Sequence, residues 1–178
     1  DTMSGRPSPN ERKTIEAISA SQLLMVPPPN FSMVDKGVYR SGFPNKRNFD
    51  FLRTLRLKTV IKLCFERSPE FEAFCEAEHI NVVTLNMHGN REPFVQIDLK
   101  QLRTALSYVL DQRTHPILLH CNKGKHRTGC VVACLRKTQR RSLTYIFDEY
   151  ERFTGKGKGE MLDLQFIELF ESEMVMNR

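Results

Sequence analysis

The sequence predicts an α/β fold in which helices flank a central, mostly parallel β-sheet. Short apolar segments typical of buried strands alternate along the chain with segments in which apolar residues recur at helical spacing. One apolar segment, residues 117–119, follows Pro116 and runs into a charged, glycine-containing turn and then into a helix. Because a strand covered on both faces has a continuous apolar sequence, this segment is predicted to be the central strand. We expect the chemistry of the protein at the turn that follows it.

The 178-residue chain, with 40% hydrophobic residues, is long enough for one domain with a substantial core and too short for two. Its first residues are rich in Gly, Pro, Ser and charge, which predicts a flexible N-terminal tail over residues 1–22 and a folded domain over residues 23–175. Since the sequence begins with Asp1 rather than Met, we also expect that upstream residues are missing from it.

The first half of the domain alternates short strands and helices. Three prolines bias the entry segment away from helix, because each removes a backbone donor and restricts the residue before it. Apolar residues at helical spacing then mark two short helices between strand-like runs. In order, the predicted elements are an extended segment (26–31), a strand (38–41), a short helix (49–55), a strand (59–64), a helix (70–78) and a strand (82–85).

The second half is predicted to be mainly helical around the central strand. Asp98 suits the N-cap of a helix whose apolar residues fall on one face up to Leu110. After the central strand, the predicted elements are a buried helix that runs from Gly129 to a basic C-terminus near residues 136–141, a helix (143–153), a flexible basic connector (155–159) and a last helix (164–170).

The turn between the central strand and the buried helix is predicted to bind an anion. Backbone N–H groups in the first turn of a helix have no intrahelical partners, so they and the helix dipole favour a negative charge there. Cys121 lies in this turn, and Arg127 follows six positions later. The same surroundings favour the nucleophilic thiolate form of a cysteine. Arg127 supplies a planar fork of donors that matches two phosphate oxygens.

Neighbouring residues of the turn are predicted to support this site. Gly124 is expected to let the backbone turn tightly around the anion, Thr128 to offer its hydroxyl to the thiolate, and His120 to brace the loop through hydrogen bonds. A buried structural cysteine is less favoured, because an inert thiol needs no cluster of cations around it. A zinc site is also less favoured, because the chain has no Cys-x2-Cys pair. Its ligands would be Cys121, His126, Cys130 and Cys134.

Charge and cysteine content limit the partners and the compartment. The net charge of +6 indicates an acidic partner, such as a nucleic acid, a membrane surface or a small polyanion. No basic stretch is interleaved with aromatic residues that would stack on bases, so nucleic acid is not expected. No apolar run approaches the roughly 18 residues of a membrane span, so stable membrane insertion is not expected. Five cysteines without paired spacings predict a cytoplasmic protein, with the nucleus as a second compartment.

Five motifs of the chain occur in the same order in one known family. They are Val-Pro-Pro-Pro-Asn-Phe (26–31), Tyr-Arg-Ser-Gly-Phe-Pro (39–44), Gly-Asn-Arg-Glu-Pro-Phe (89–94), His-Cys-Asn-Lys-Gly-Lys-His-Arg-Thr-Gly (120–129) and Ile-Phe-Asp-Glu-Tyr (146–150). Over roughly residues 23–170 the sequence resembles the plant and fungal atypical dual-specificity phosphatases. The resemblance implies the small cysteine-phosphatase fold, a dual-specificity phosphatase-like catalytic domain, no metal or other cofactor, and removal of phosphate from inositol pyrophosphates.

The residues and the resemblance together predict a cysteine-dependent phosphatase. Cys121 would attack phosphorus to form a phosphocysteine, while Arg127, Thr128 and the loop N–H groups assist, and water would complete hydrolysis. The predicted substrate is the phosphoanhydride of an inositol pyrophosphate, a polyanionic small molecule. The alternatives are a protein tyrosine or dual-specificity phosphatase, a phosphoinositide phosphatase, and a phosphate-binding module without turnover.

The loop carries more positive charge than a single phosphotyrosine needs, which favours a highly charged substrate. Lys125, four residues after the nucleophile, also resembles the lysine of inositol-lipid phosphatases. The predicted substrate-binding residues are Arg91, Asn122, Lys123, Gly124, Lys125 and His126.

The general acid departs from the pattern of larger related phosphatases, which place an aspartate on a loop before the cysteine. Here residues 87–93 contain no Asp, and Glu92 is the nearest candidate for the acid. An alkoxide leaving group needs a proton, whereas a phosphate leaving group, with a pKa of about 6, needs far less help. The missing aspartate therefore favours a phosphoanhydride over an alkyl ester as substrate.

Overall fold

The computed structural model describes Ser8, Asn10, residues 25–90, 96–155 and 160–171, and Glu173. Apart from Ser8 and Asn10, the predicted N-terminal tail lies outside these residues, as does the predicted basic connector beyond Gly155. Within the described part of the chain, no helix is both long enough and apolar enough to cross a bilayer.

Short strands and helices alternate through the described residues. In chain order they are β1 (Ser32–Asp35), β2 (Val38–Ser41), α1 (Phe49–Thr54), β3 (Thr59–Lys62), α2 (Pro69–Ala77), β4 (Asn81–Thr84), α3 (Leu99–Leu110), β5 (Ile117–His120), α4 (His126–Thr138), α5 (Leu143–Thr154) and α6 (Glu160–Leu169).

The strands form one sheet in the order β1-β2-β5-β3-β4. The pairs β2–β5, β5–β3 and β3–β4 are parallel, and only β1 runs antiparallel to its neighbour β2. The predicted α/β fold with a mostly parallel sheet is therefore confirmed. Strand β1 was not predicted from the sequence. Only Val34 of this edge strand is buried, so its sequence lacks the apolar run that marks a central strand.

The central position of β5 follows from its sequence. Ile117, Leu118 and Leu119 are fully buried, and their side chains alternate between two hydrophobic cores. Ile117 and Leu119 pack in the core formed with α3, α4, α5 and α6. Leu118 packs in the core formed with α1 and α2. The strand therefore lies between two layers of helices, and its carboxyl end delivers the following loop to the edge of the sheet.

Helix α4 begins at His126, three residues before the predicted start at Gly129. Apolar periodicity could not show this, because the first turn carries the polar residues His126, Arg127 and Thr128. The predicted N-cap agrees with the structure: Asp98 accepts a hydrogen bond from the Lys100 N–H at 2.8 Å and begins α3.

Helix α6 is fastened to α4 through a lysine. Lys137 Nζ donates to the carbonyls of Ile167 and Glu168, at 3.1 and 2.7 Å. These carbonyls belong to the last turn of α6, which has no intrahelical donors for them. The bonds therefore hold the C-terminal end of α6 against α4.

Gly129 lets helices α4 and α5 approach closely. A Cβ at this position would lie 2.8 Å from Cε2 of Tyr150, a side chain that is only 2% exposed. The Tyr150 ring cannot move aside into solvent, so the contact requires glycine.

We expect Gly129→Ala to destabilise the protein, although alanine favours a helix over glycine by about 1 kcal/mol. Overpacking against a buried ring costs about 1–3 kcal/mol and should outweigh that gain. Urea unfolding of the wild type and the variant measures the difference in the free energy of unfolding, provided that both proteins have the same m-value. A variant more stable than the wild type would show that helix propensity dominates and that the ring moves freely.

Candidate active site

Three consecutive carbonyls of the loop between β5 and α4 accept hydrogen bonds from other segments. The donors are the Phe43 N–H to Asn122 (2.9 Å), Asn30 Nδ2 to Lys123 (2.7 Å) and Arg40 Nη2 to Gly124 (2.9 Å). In a trans peptide, the N–H of one residue points opposite to the carbonyl of the residue before it. Carbonyls tied to the scaffold therefore leave the N–H groups of residues 123–125 pointing away from it, which is the orientation that an anion-binding cradle needs.

Two of the sequence motifs thereby acquire a structural role. Asn30 comes from the proline-rich segment 26–31, and Arg40 and Phe43 come from residues 39–44. Both motifs therefore hold the loop in shape through hydrogen bonds to its carbonyls.

Arg40 was missed as a site residue by the sequence analysis. It is 1% exposed, and its guanidinium lies 3.7 Å from the centroid of the Phe153 ring. Burial lowers the pKa of Arg40 to about 10, so that it still carries its charge at neutral pH. The signal in the sequence was a charged residue inside a short strand pattern, where a buried cation needs a partner.

Gly124 adopts φ +67°, and a Cβ there would lie 2.4 Å from the backbone nitrogen of Gly42. The loop and the segment after β2 are thus in backbone contact at this point. The predicted tight turn at Gly124 matches this geometry.

A cavity of about 590 Å³ opens beside the loop. It contains five of the predicted site residues, namely Cys121, Asn122, Lys123, His126 and Arg127. Cys121 is 2% exposed. The other residues that line the cavity are Phe65, Glu66, Met87, His88, Gly89, Asn90 and Asp163.

Arg127 is anchored on the carboxyl side of the sheet. Its Nη1 lies 3.4 Å from the carbonyl oxygens of both Leu63 and Met87, which follow β3 and β4. These bonds occupy one nitrogen of the guanidinium and leave other donors of the planar group for a phosphate in the cavity.

Four other predicted residues, Gly124, Lys125, Thr128 and His120, do not line the cavity. Lys125 Nζ lies 3.5 Å from the Thr154 carbonyl at the end of α5. The Thr128 hydroxyl is fully buried and has no hydrogen-bond partner among the described residues. His120 packs edge-on against Phe43 and Phe71, and burial lowers the pKa of His120 to about 4 although the Cys121 backbone opposes that shift. His120 is therefore neutral. The predicted bracing through hydrogen bonds is not found, because neither ring nitrogen has a partner among the described residues, and the ring instead packs behind the loop.

Arg91 and Glu92, the predicted second phosphate contact and candidate acid, lie outside the described residues.

The structure brings the carboxylate of Asp163 to the cavity from near the end of the chain. Asp163 on α6 is 2% exposed and accepts hydrogen bonds from His126 Nδ1 at 2.9 Å, Tyr150 O–H at 2.5 Å and Asn90 Nδ2 at 2.7 Å. Burial alone would raise the pKa of Asp163, but these three donors outweigh that effect and hold it below its usual range. Local sequence patterns could not indicate this cluster, because its four residues are far apart along the chain.

Glu66 also lies at the cavity and was not predicted. Its carboxylate accepts a short hydrogen bond from Asn122 Nδ2, and this bond lowers the pKa of Glu66. Asn122, predicted to bind substrate, is thus tied by its side-chain nitrogen to the cavity wall.

All five cysteines are free thiols. Burial raises the pKa of Cys64 to about 11, and it raises those of Cys130 and Cys134 further. Cys130 and Cys134 are core residues of α4, and no group of three or more His, Cys, Asp or Glu within the described ranges is arranged to hold a metal ion. Cys121 is the cysteine that lines the cavity.

A parallel sheet whose central strand leads into a Cys-x5-Arg loop and a helix N-terminus defines the cysteine-dependent phosphatases.

Comparison with known proteins agrees with this class. A model of the Tyrosine phosphatase family matches residues 25–178. Inositol diphosphatase DSP1 of Oryza sativa subsp. japonica is 52% identical over 153 residues, which cover 85% of this chain and 68% of that protein. Inositol diphosphatase SIW14 of Saccharomyces cerevisiae is 43% identical over 172 residues, which cover 93% of this chain and 61% of that protein.

The crystal structure of the core catalytic domain of the PP-IP phosphatase SIW14 from S. cerevisiae, in complex with citrate, matches with a TM-score of 0.77 and 44% identity. The match covers 85% of this chain and 91% of that one. The chain belongs to the tyrosine phosphatase family, and its resemblance to the plant and fungal atypical dual-specificity phosphatases is confirmed.

We expect Gly124→Ala to abolish tight binding of tungstate, a phosphate-like oxyanion, because a Cβ would push the loop away from Gly42 and misdirect its N–H groups. Isothermal titration calorimetry should show a loss of at least tenfold in affinity, about 1.4 kcal/mol.

Gly155→Ala is the matched control. Gly155 also has a positive φ, +71°, but a Cβ there would meet no atom of the described residues within 4 Å. Gly155→Ala therefore introduces the same backbone strain of a positive φ but no collision between the new Cβ and another segment. Equal losses in the two variants would contradict the role assigned to the loop contact.

Proposed function

We propose that the protein hydrolyses the phosphoanhydride of an inositol pyrophosphate through a phosphocysteine intermediate. The observation that carries this proposal is the cavity in which Cys121 and Arg127 share a loop with inward N–H groups and further cations. The relatives named inositol diphosphatases support the substrate class.

In the proposed first step, the Cys121 thiolate attacks the terminal phosphorus from the cavity floor. The Arg127 guanidinium and the N–H groups of residues 123–125 hold the equatorial oxygens, where negative charge is concentrated in the transition state. The bond to the bridging oxygen breaks, and its electron pair leaves with the remaining phosphate. Thr128, whose buried hydroxyl has no hydrogen-bond partner among the described residues, is proposed to turn toward the thiolate during the reaction.

In the second step, water attacks phosphorus and the P–S bond breaks. Inorganic phosphate, which keeps both protons of the water, is released, and the Cys121 thiolate is regenerated. The intermediate divides one difficult displacement into two easier ones.

The substrate's other phosphates are proposed to contact Lys123 and His126, which line the cavity. The proposal retains Arg91 as a phosphate contact and Glu92 as a candidate acid, and it assigns Lys125 to the outer rim. The phosphoanhydride makes a strong acid dispensable, because its leaving group is a phosphate with a pKa of about 6. We place this activity in the cytoplasm or nucleus, which suits a chain with five free thiols.

We expect the wild type to release phosphate from an inositol pyrophosphate faster than from a phosphoinositide, a phosphotyrosine peptide or triphosphate-ended RNA, measured side by side.

Cys121→Ser should abolish turnover and keep binding, because a hydroxyl in the same cavity stays protonated. A phosphate-binding module without turnover predicts instead that wild type and variant are equally inactive. More than a few per cent of wild-type activity in the variant would exclude Cys121 as nucleophile.

Lys123→Ala and Lys125→Ala form a matched pair, since each removes one lysine from the same loop. Only Lys123 lines the cavity, so its loss should raise KM for the inositol pyrophosphate several-fold more than the loss of Lys125. On an aryl phosphate, which has one phosphate group, both effects should be small. An equal or larger effect of Lys125→Ala would place that lysine at the substrate, as the sequence analysis predicted.

A further inference from the structure

The polar cluster at the C-terminal side of the cavity is held around one buried carboxylate. Asp163 Oδ2 accepts from His126 Nδ1 and from the Tyr150 hydroxyl, while Oδ1 accepts from Asn90 Nδ2. With three donors and almost no exposure to water, Asp163 is an anion fixed in position. The bonds from Lys137 to the last turn of α6 further fix the helix that carries it.

This arrangement orients the His126 ring. Because Nδ1 donates to Asp163, the other ring nitrogen, Nε2, is on the side of the imidazole away from that carboxylate. The His126 side chain is 46% exposed and lines the same cavity as Cys121 and Arg127. A carboxylate that accepts from Nδ1 fixes the orientation of the imidazole ring and leaves Nε2 as the nitrogen available for proton transfer, as in a Ser–His–Asp triad.

We propose that His126, oriented by Asp163, donates the proton to the leaving group when the protein cleaves phosphate esters. This inference rests on the proposed phosphocysteine chemistry and deepens it. The Cys121 Sγ–P bond forms as the P–O bond to the leaving group breaks. The electron pair stays on the leaving oxygen, which receives the proton from His126 Nε2. Neutral His126 remains, with its Nδ1–H still bonded to Asp163.

Other titratable groups at the cavity are less suited to this task. Glu66 is held ionised by its bond from Asn122, which lowers its pKa, so it has no proton to give near neutral pH. The ring of His88 lies 4.6 Å from that of Phe65, and no carboxylate among the described residues hydrogen-bonds to it. His126 therefore combines an orienting anion, access to the cavity and a ring nitrogen, Nε2, for which no hydrogen bond is found within the described residues.

Asp163 is the positioning residue in this proposal, and His126 is the catalytic residue. Dependence on His126 should differ between substrates according to the basicity of their leaving groups. A phosphoanhydride has a leaving group that needs little protonation, whereas an ester with a basic leaving group depends on His126. The Asp163–His126 pair would thus determine how far the protein acts beyond anhydrides.

The test uses Asp163→Asn, His126→Gln and the double variant on a series of phosphate esters, from aryl esters with good leaving groups to an alkyl ester. The kcat/KM value reports the steps up to the phosphocysteine. For each single variant, the loss should grow along the series, from about tenfold to the 10²–10⁴-fold range of general acid catalysis. The double variant should lose no more than His126→Gln alone, because Asp163 acts through His126.

A purely structural role predicts a different result. It would lower kcat/KM by the same factor for every leaving group, and either this flat profile or multiplied losses in the double variant would overturn the proposal. Glu168→Gln, an exposed carboxylate on the same helix, is the matched control and should show no leaving-group dependence. If Asp163→Asn fails to fold by thermal unfolding, His126→Gln carries the test, because its side chain is half-exposed.

The two proposals fail separately. A wild-type protein that cleaves the esters but not the inositol pyrophosphate would refute the substrate assignment, and the leaving-group series would still decide the role of His126. A flat series in a protein that hydrolyses the pyrophosphate would refute the role of His126 alone.

Discussion

The site depends on the outward hydrogen bonding of three loop carbonyls. Each bond from Asn30, Arg40 or Phe43 fixes one peptide plane, and the N–H group at the opposite end of that plane is the one proposed to hold the substrate phosphate. The bonds explain why a buried arginine is kept in strand β2 in spite of its desolvation. They also explain why residue 124 must be glycine, since the loop is drawn into backbone contact with the segment after β2.

Burial sets the protonation state of several ionisable groups around the loop. It raises the pKa values of Cys64 and Cys130, which keeps these thiols protonated, and it keeps His120 neutral behind the loop. Asp163 is equally buried and yet anionic, because three donors compensate for the lost water. The cavity therefore joins a cationic loop for phosphate with one fixed carboxylate beside it, and the proposed acid lies where the two meet.

Much of the fold was predictable because it follows from local patterns. The apolar run of residues 117–119, helical spacing elsewhere and the cap at Asp98 each act within a few residues, so strands β2 to β5, the six helices and their order were predicted correctly. Strand β1 was missed because an edge strand needs no apolar run. The start of α4 was placed too late, because its first turn is made of residues that serve the site and break the periodicity.

The sequence by itself determined the nucleophile candidate Cys121, its partner Arg127 and the family, because a loop that binds one phosphate is built from consecutive residues with fixed spacing. Only the tertiary structure decided which of the loop lysines lines the cavity, and which distant residues complete the site. Arg40 and Asp163 lie 81 and 42 positions from Cys121 in the sequence, on opposite sides of it. They reach the loop because the sheet places β2 beside β5, and helix packing brings α6 against α4. Such contacts depend on the packing of whole elements, and spacing along the chain does not record them.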